Sequence, residues 1–184
     1  MRKGVLGVML VLLLAACGNE SANRTTALQP TTVVTGGSPE ELIVITFKSQ
    51  SSPAAEAKAK WTIICAPNVH WPHKSSSRPG EVDVKADLTC NTADGPGAVE
   101  GILSLEQWDP EQGRWYLRKM GKVNVLPVAP GKPAVFKPEN LIAAASCVSG
   151  YYRGALTITG IPAPGNILIT PPVTRFGPEV AVNC

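Results

Sequence analysis

The chain of 184 residues lacks every short motif that announces a catalytic centre. It has no Gly-x-Ser-x-Gly, no His-Glu-x-x-His, no phosphate-cradling loop and no Ser-x-x-Lys. Gly95-Pro96-Gly97 reads as a turn, not a nucleotide loop. No two cysteines have Cys-x-x-Cys spacing, which argues against a thiolate metal site. The apolar run from Val5 to Ala16 falls short of the roughly 20 residues that spanning a bilayer requires. Charge is sparse and nearly balanced, with 17 Lys and Arg against 14 Asp and Glu. That balance offers no basic footprint for nucleic acid.

What the chain does have begins at its start. Met1-Arg2-Lys3 precedes the apolar run, and small residues follow it. A basic start, a short apolar stretch and small residues before a cut describe a secretory signal. Leu14-Ala15-Ala16-Cys17 resembles a bacterial lipobox, in which signal peptidase cuts before a cysteine that carries diacylglycerol. The resemblance implies a lipoprotein. Residues 1–16 would be removed, and Cys17 would carry two or three acyl chains. Each buried CH₂ contributes about 0.8 kcal/mol, so such an anchor is stable. The expected place is the extracytoplasmic side of a cell membrane or outer membrane. Gly18, not Asp, follows the cysteine, so the resemblance carries no inner-membrane retention signal. Losing Arg2 and Lys3 lowers the formal net charge from +3 to +1. No polybasic segment flanks Cys17, and the lipid is the expected membrane contact. The rival reading is an ordinary signal with a cut nearby and Cys17 as a buried thiol.

Residues 17–40 are rich in Thr, Ser, Asn, Gly and Pro. They have little to bury and read as a flexible tether with a reach of about 25 Å. With Cys17 assigned to lipid, Cys65, Cys90, Cys147 and Cys184 remain. An even number outside the cytosol reads as two disulfides, and four cysteines permit three pairings. Cys65–Cys90 and Cys147–Cys184 are expected, because each joins segments that read as neighbouring strands.

From residue 41 to 184 the pattern is that of one β domain. Leu42 to Phe47 is a β-branched run, and Trp61 to Cys65 is a second strand that Pro67 should stop. Pro53 to Lys58 has the composition of a helical turn. Glu81 to Cys90 is the clearest stretch. Val82, Val84, Ala86, Leu88 and Cys90 alternate with Asp83, Lys85, Asp87 and Thr89, which predicts a half-buried antiparallel strand. Val99 to Trp108 and Arg114 to Val125 read as a hairpin around Asp109-Pro110-Glu111-Gln112-Gly113, with Trp115 and Leu117 opposing Leu103 and Leu105 in the core. Gly121 reads as a bulge, and Pro127 as the end of that strand. Ala134 to Phe136 predicts a short edge strand, and Leu141 to Ser146 fits helix or strand. Tyr152 to Thr159, Ile167 to Ile169 and Val180 to Cys184 complete the set.

Eight or nine short strands with turn residues between them predict an all-β, antiparallel sandwich. Cys147 to Arg153, together with Leu103 to Trp115, resembles small secreted immunoglobulin-like domains of bacteria. The likeness covers about a third of the chain and implies an immunoglobulin-like sandwich with no assigned activity. The Trp–disulfide spacing of antibody domains is absent.

Two groups of residues invite a site. His70-Trp71-Pro72-His73 places two imidazoles three apart, a possible pair of ligands for Cu or Zn, with Trp71 as a partner contact; a solvated loop is the plainer reading. Trp108 and Tyr151 have outward parity, whereas Trp61 and Trp115 share parity with apolar neighbours. Trp108 and Tyr151 are therefore the candidate platform on which a sugar ring would stack. Glu106 and Asp109 read as a solvated hairpin end rather than a catalytic pair. The expectation is a lipid-anchored binding or interaction module that is not an enzyme, takes no cofactor, and meets an envelope protein or glycan. The alternative is an envelope enzyme or metal-handling protein that uses His70 and His73.

Overall fold

The computed structural model describes residues 41–50 and 60–184. The expected signal sequence, Cys17, the expected tether at 17–40 and the helical turn read at Pro53 to Lys58 lie outside the described residues. The described residues form twelve strands: β1 (Ile43–Ser49), β2 (Lys60–Val69), β3 (His73–Lys74), β4 (Glu81–Thr92), β5 (Gly97–Asp109), β6 (Arg114–Met120), β7 (Asn124–Val128), β8 (Ala134–Ser146), β9 (Gly150–Ile161), β10 (Asn166–Leu168), β11 (Val173–Phe176) and β12 (Val180–Val182).

All pairings are antiparallel, and they build two sheets. The first runs β10-β1-β2-β4, with β8 on the far side of β4 and β3 also on β4. The second runs β11-β9-β5-β6, with β12 on β9 and β7 on β5. The chain changes sheets between β4 and β5, β7 and β8, β8 and β9, β9 and β10, and β10 and β11. β4 pairs β8 in one sheet, and β5 pairs β9 in the other. That is the pairing scheme of an immunoglobulin-type sandwich, whose second strand pairs its fifth and whose third pairs its sixth. β1 and β10 extend the first sheet beyond that scheme.

Alternation decides which side chains meet between the sheets. Val82, Val84, Ala86, Leu88 and Cys90 of β4 are fully buried, and they face Val99, Leu103 and Leu105 of β5 and Tyr152, Leu156 and Ile158 of β9. Burying each large apolar side chain contributes about 1.5–3 kcal/mol, so this layer holds the sheets together. Cys65 and Cys90 lie directly opposite on β2 and β4 and form a disulfide inside the core. In antibody domains the disulfide spans the two sheets; this one lies within a sheet. Cys147 bonds Cys184, which ties the β8–β9 crossing to the segment after β12. Both pairings are those expected, but only the first joins neighbouring strands.

Other departures from the sequence reading have local causes. β2 continues through Pro67 to Val69. β1 stops pairing at Ile43, opposite Cys65, so past that point no strand on that side needs the N–H that proline lacks. The stretch expected as one strand from Arg114 to Val125 divides at Gly121 into β6 and β7. Pro127 sits inside β7, opposite Ala98, on a strand paired along one side only. The short edge strand and the ambiguous Ala-rich segment are one strand, β8, with Pro138 within it and an irregular register against Ala86 and Leu88. β11 is an addition: Val173 to Phe176 lies between Pro171-Pro172 and Gly177-Pro178.

Candidate functional site

The surface with most chemistry is the end of the second sheet where the β5–β6 hairpin meets the β8–β9 crossing. The hairpin is set by Asp109, whose Oδ1 accepts hydrogen bonds from the backbone N–H of Glu111 at 2.9 Å and of Gln112 at 3.1 Å. Gly113 closes it with φ +60°, a conformation that suits glycine. On the other side, Tyr152 Oη donates to the Val148 carbonyl at 2.6 Å, and the Cys184 N–H donates to Ser149 Oγ at 2.8 Å. With the Cys147–Cys184 bond, these fix the backbone of the crossing.

Between the two walls lies an open pocket of about 380 Å³, lined by Gln107 to Glu111, Tyr116 and Ser149 to Tyr151. Trp108 and Tyr151, the candidate platform residues, both line it. Tyr116 is the aromatic that sequence reading missed. It sits opposite Gln107, and its hydroxyl donates to Gln107 Oε1 at 2.7 Å. Its signal was the hairpin register, which puts Tyr116 one place beyond Trp115 and on the other face.

Trp115 is not core. It pairs with Trp108 on the outer face of the sheet, ring centroids 5.6 Å apart and edge to face, and Leu117 beside it is exposed. Trp115 lies under the Arg153 guanidinium at 4.4 Å, and the same guanidinium covers Phe176 at 4.1 Å. Arg153 Nε donates to Glu106 Oε2 at 2.8 Å, and Glu179 lies 3.7 Å away. Glu106 is thus one half of an ion pair, whereas Asp109 caps a turn. Trp61 is half-buried, stacked on Phe47 at 5.5 Å.

The histidine cluster sits elsewhere, on the first sheet. His70 Nε2 is 2.6 Å from Asp87 Oδ1, and His73 Nε2 is 3.1 Å from Asp83 Oδ1. His73 Nδ1 also meets the Trp71 carbonyl at 3.0 Å. The carboxylates come from β4, across the sheet, which local sequence could not show. Each imidazole thus faces its own carboxylate, and no group of three or more His, Cys, Asp or Glu placed to hold a metal ion occurs among the described residues. Trp71 is 68% exposed on the join between β2 and β3 and does not line the pocket. No helix among the described residues is long and apolar enough to cross a membrane.

Comparison with protein-family models, with curated proteins and with solved structures gave no match.

Proposed function

We propose that this chain is a lipid-anchored envelope protein that binds a ligand in the pocket formed by Trp108, Tyr116 and Tyr151. The single observation behind the reading is that Trp108, Tyr116 and Tyr151 all line one pocket at the end of the second sheet. Aromatic rings offer large contact area at little entropic cost, and a tyrosine hydroxyl such as that of Tyr151 adds a polar edge that fixes orientation. A pocket of this size takes one sugar ring or one side chain. Two disulfides fit an oxidising compartment outside the cytoplasm. The Leu14-Ala15-Ala16-Cys17 sequence supplies the anchor in this reading. The role is binding, not catalysis.

The test is photocrosslinking on intact cells from a reactive group placed at Tyr151, compared with one at Trp71. A product from Tyr151 alone, lost when Trp108 is changed to Ala, supports the reading. Equal products from both positions, or from neither, count against it. Labelling with an alkyne fatty acid tests the anchor separately: wild type should label and Cys17→Ser should not.

A further inference from the structure

The pocket's charge is one-sided. Asp109 and Glu111 line it, and no Lys, Arg or His does. Asp109 is held in place by two backbone N–H groups from its own turn. Neither carboxylate makes an ion pair with a cation among the described residues. Two cations stand nearby. Arg114 lies opposite Asp109 across the hairpin, exposed and without an ion pair to it. Arg118 donates to the Ser146 carbonyl at 3.1 Å and sits 6.0 Å over the Tyr116 ring. Neither lines the pocket.

Trp108 and Tyr151 together with two carboxylates favour a cation, while the Tyr116 ring already has the Arg118 guanidinium over it. The ring quadrupole draws positive charge to its face, and the carboxylates add direct attraction. The same sheet already holds one cation this way, since Arg153 lies against Trp115 and Phe176. An anionic ligand would meet two like charges. The cavity, at about 380 Å³, admits a single ring-sized unit, and it is open, as an inner unit of a polymer requires. Ser149, whose Oγ accepts the Cys184 N–H, keeps its own O–H to donate to a sugar hydroxyl.

Resting on the pocket reading above, we propose that the ligand is a sugar unit bearing a free, protonated amine. The test is titration of the full chain, purified in detergent, with a glucosamine tetramer and with its N-acetylated counterpart at mildly acidic pH. Tryptophan fluorescence is the readout, and a peptide with a free lysine side chain and an acetylated N-terminus is the third probe. The amine-bearing tetramer should bind at least about tenfold more tightly than the acetylated one. Glu111→Gln should narrow that preference several-fold; Glu111 is exposed, so the variant should fold. Equal binding of the two tetramers overturns the amine proposal and leaves the pocket reading standing. Tighter binding of the lysine peptide overturns the sugar assignment. Binding of neither tetramer overturns the proposal outright, and the Tyr151 crosslink then decides whether the pocket binds anything.

Discussion

The Tyr152 hydroxyl donates to the carbonyl of Val148, four residues upstream, at 2.6 Å. Tyr152 is fully buried where the chain crosses from the first sheet to the second, and its oxygen also lies 3.3 Å from the Val148 N–H. One side chain therefore fixes the crossing whose next three residues line the pocket. Immunoglobulin-type sandwiches brace the same corner with a tyrosine.

Tyr152→Phe keeps the ring and removes the hydroxyl. The expected loss is about 1–1.5 kcal/mol, read as a lower denaturation midpoint. Burial raises the Tyr152 phenol above its ordinary value of 10.0, with the Val148 hydrogen bond and Arg118 opposing that shift. A raised value means the folded chain keeps a proton that the unfolded chain releases. Stability from this group is complete below pH 10 and falls as pH rises beyond it. The unfolding midpoint should thus be level near neutral pH and drop in alkali, and Tyr152→Phe should drop less.

Gly121 marks where β6 gives way to β7. A Cβ there would lie 2.5 Å from the Ile142 carbonyl oxygen and 2.9 Å from that of Leu103. Both are backbone atoms, one from each sheet, so neither yields cheaply. Gly121→Ala should cost about 2–3 kcal/mol in thermal or denaturant unfolding. Gly131→Ala, with open space around it but φ +79°, should cost about 1 kcal/mol.

The two disulfides should differ in access. Cys65 and Cys90 are fully buried, whereas Cys147 is half-buried and Cys184 exposed. Mild dithiol treatment followed by alkylation and mass spectrometry should label Cys147 and Cys184 first. The bonds close sequence separations of 25 and 37, so the chain-entropy model gives each about 3.5–4 kcal/mol. Loss of the exposed bond should also weaken ligand binding, because that bond holds one pocket wall.

Arg153→Ala removes the ion pair with Glu106 and both ring contacts. The expected cost is roughly 2 kcal/mol, with a change in tryptophan emission as Trp115 becomes exposed. Arg153→Lys should recover only part, since an ammonium cannot stack as a plane.

Much of the architecture was legible because β4 alternates without interruption and because four thiols remained after Cys17. Strand parity placed Trp108 and Tyr151 outward, and both line the pocket. The same parity misled at Trp115, where Leu117 made an exposed face look like a core face. What distinguishes them is Arg153 on β9, distant in sequence, which shields one ring of that face. β8 was unreadable as a single strand because alanine suits a helix and Pro138 suggests an end. The histidines looked unaccompanied because Asp83 and Asp87 meet them only through strand pairing.

Binding of envelope glycan fragments to purified protein, compared among wild type, Trp108→Ala, Tyr151→Ala and Trp71→Ala, tests the central claim most directly, with unfolding midpoints recorded alongside. The account predicts at least about tenfold weaker binding for the Trp108 and Tyr151 variants, while each still unfolds cooperatively, and wild-type affinity for Trp71→Ala. Binding that survives the loss of Trp108 and Tyr151, or that disappears with Trp71, would contradict it.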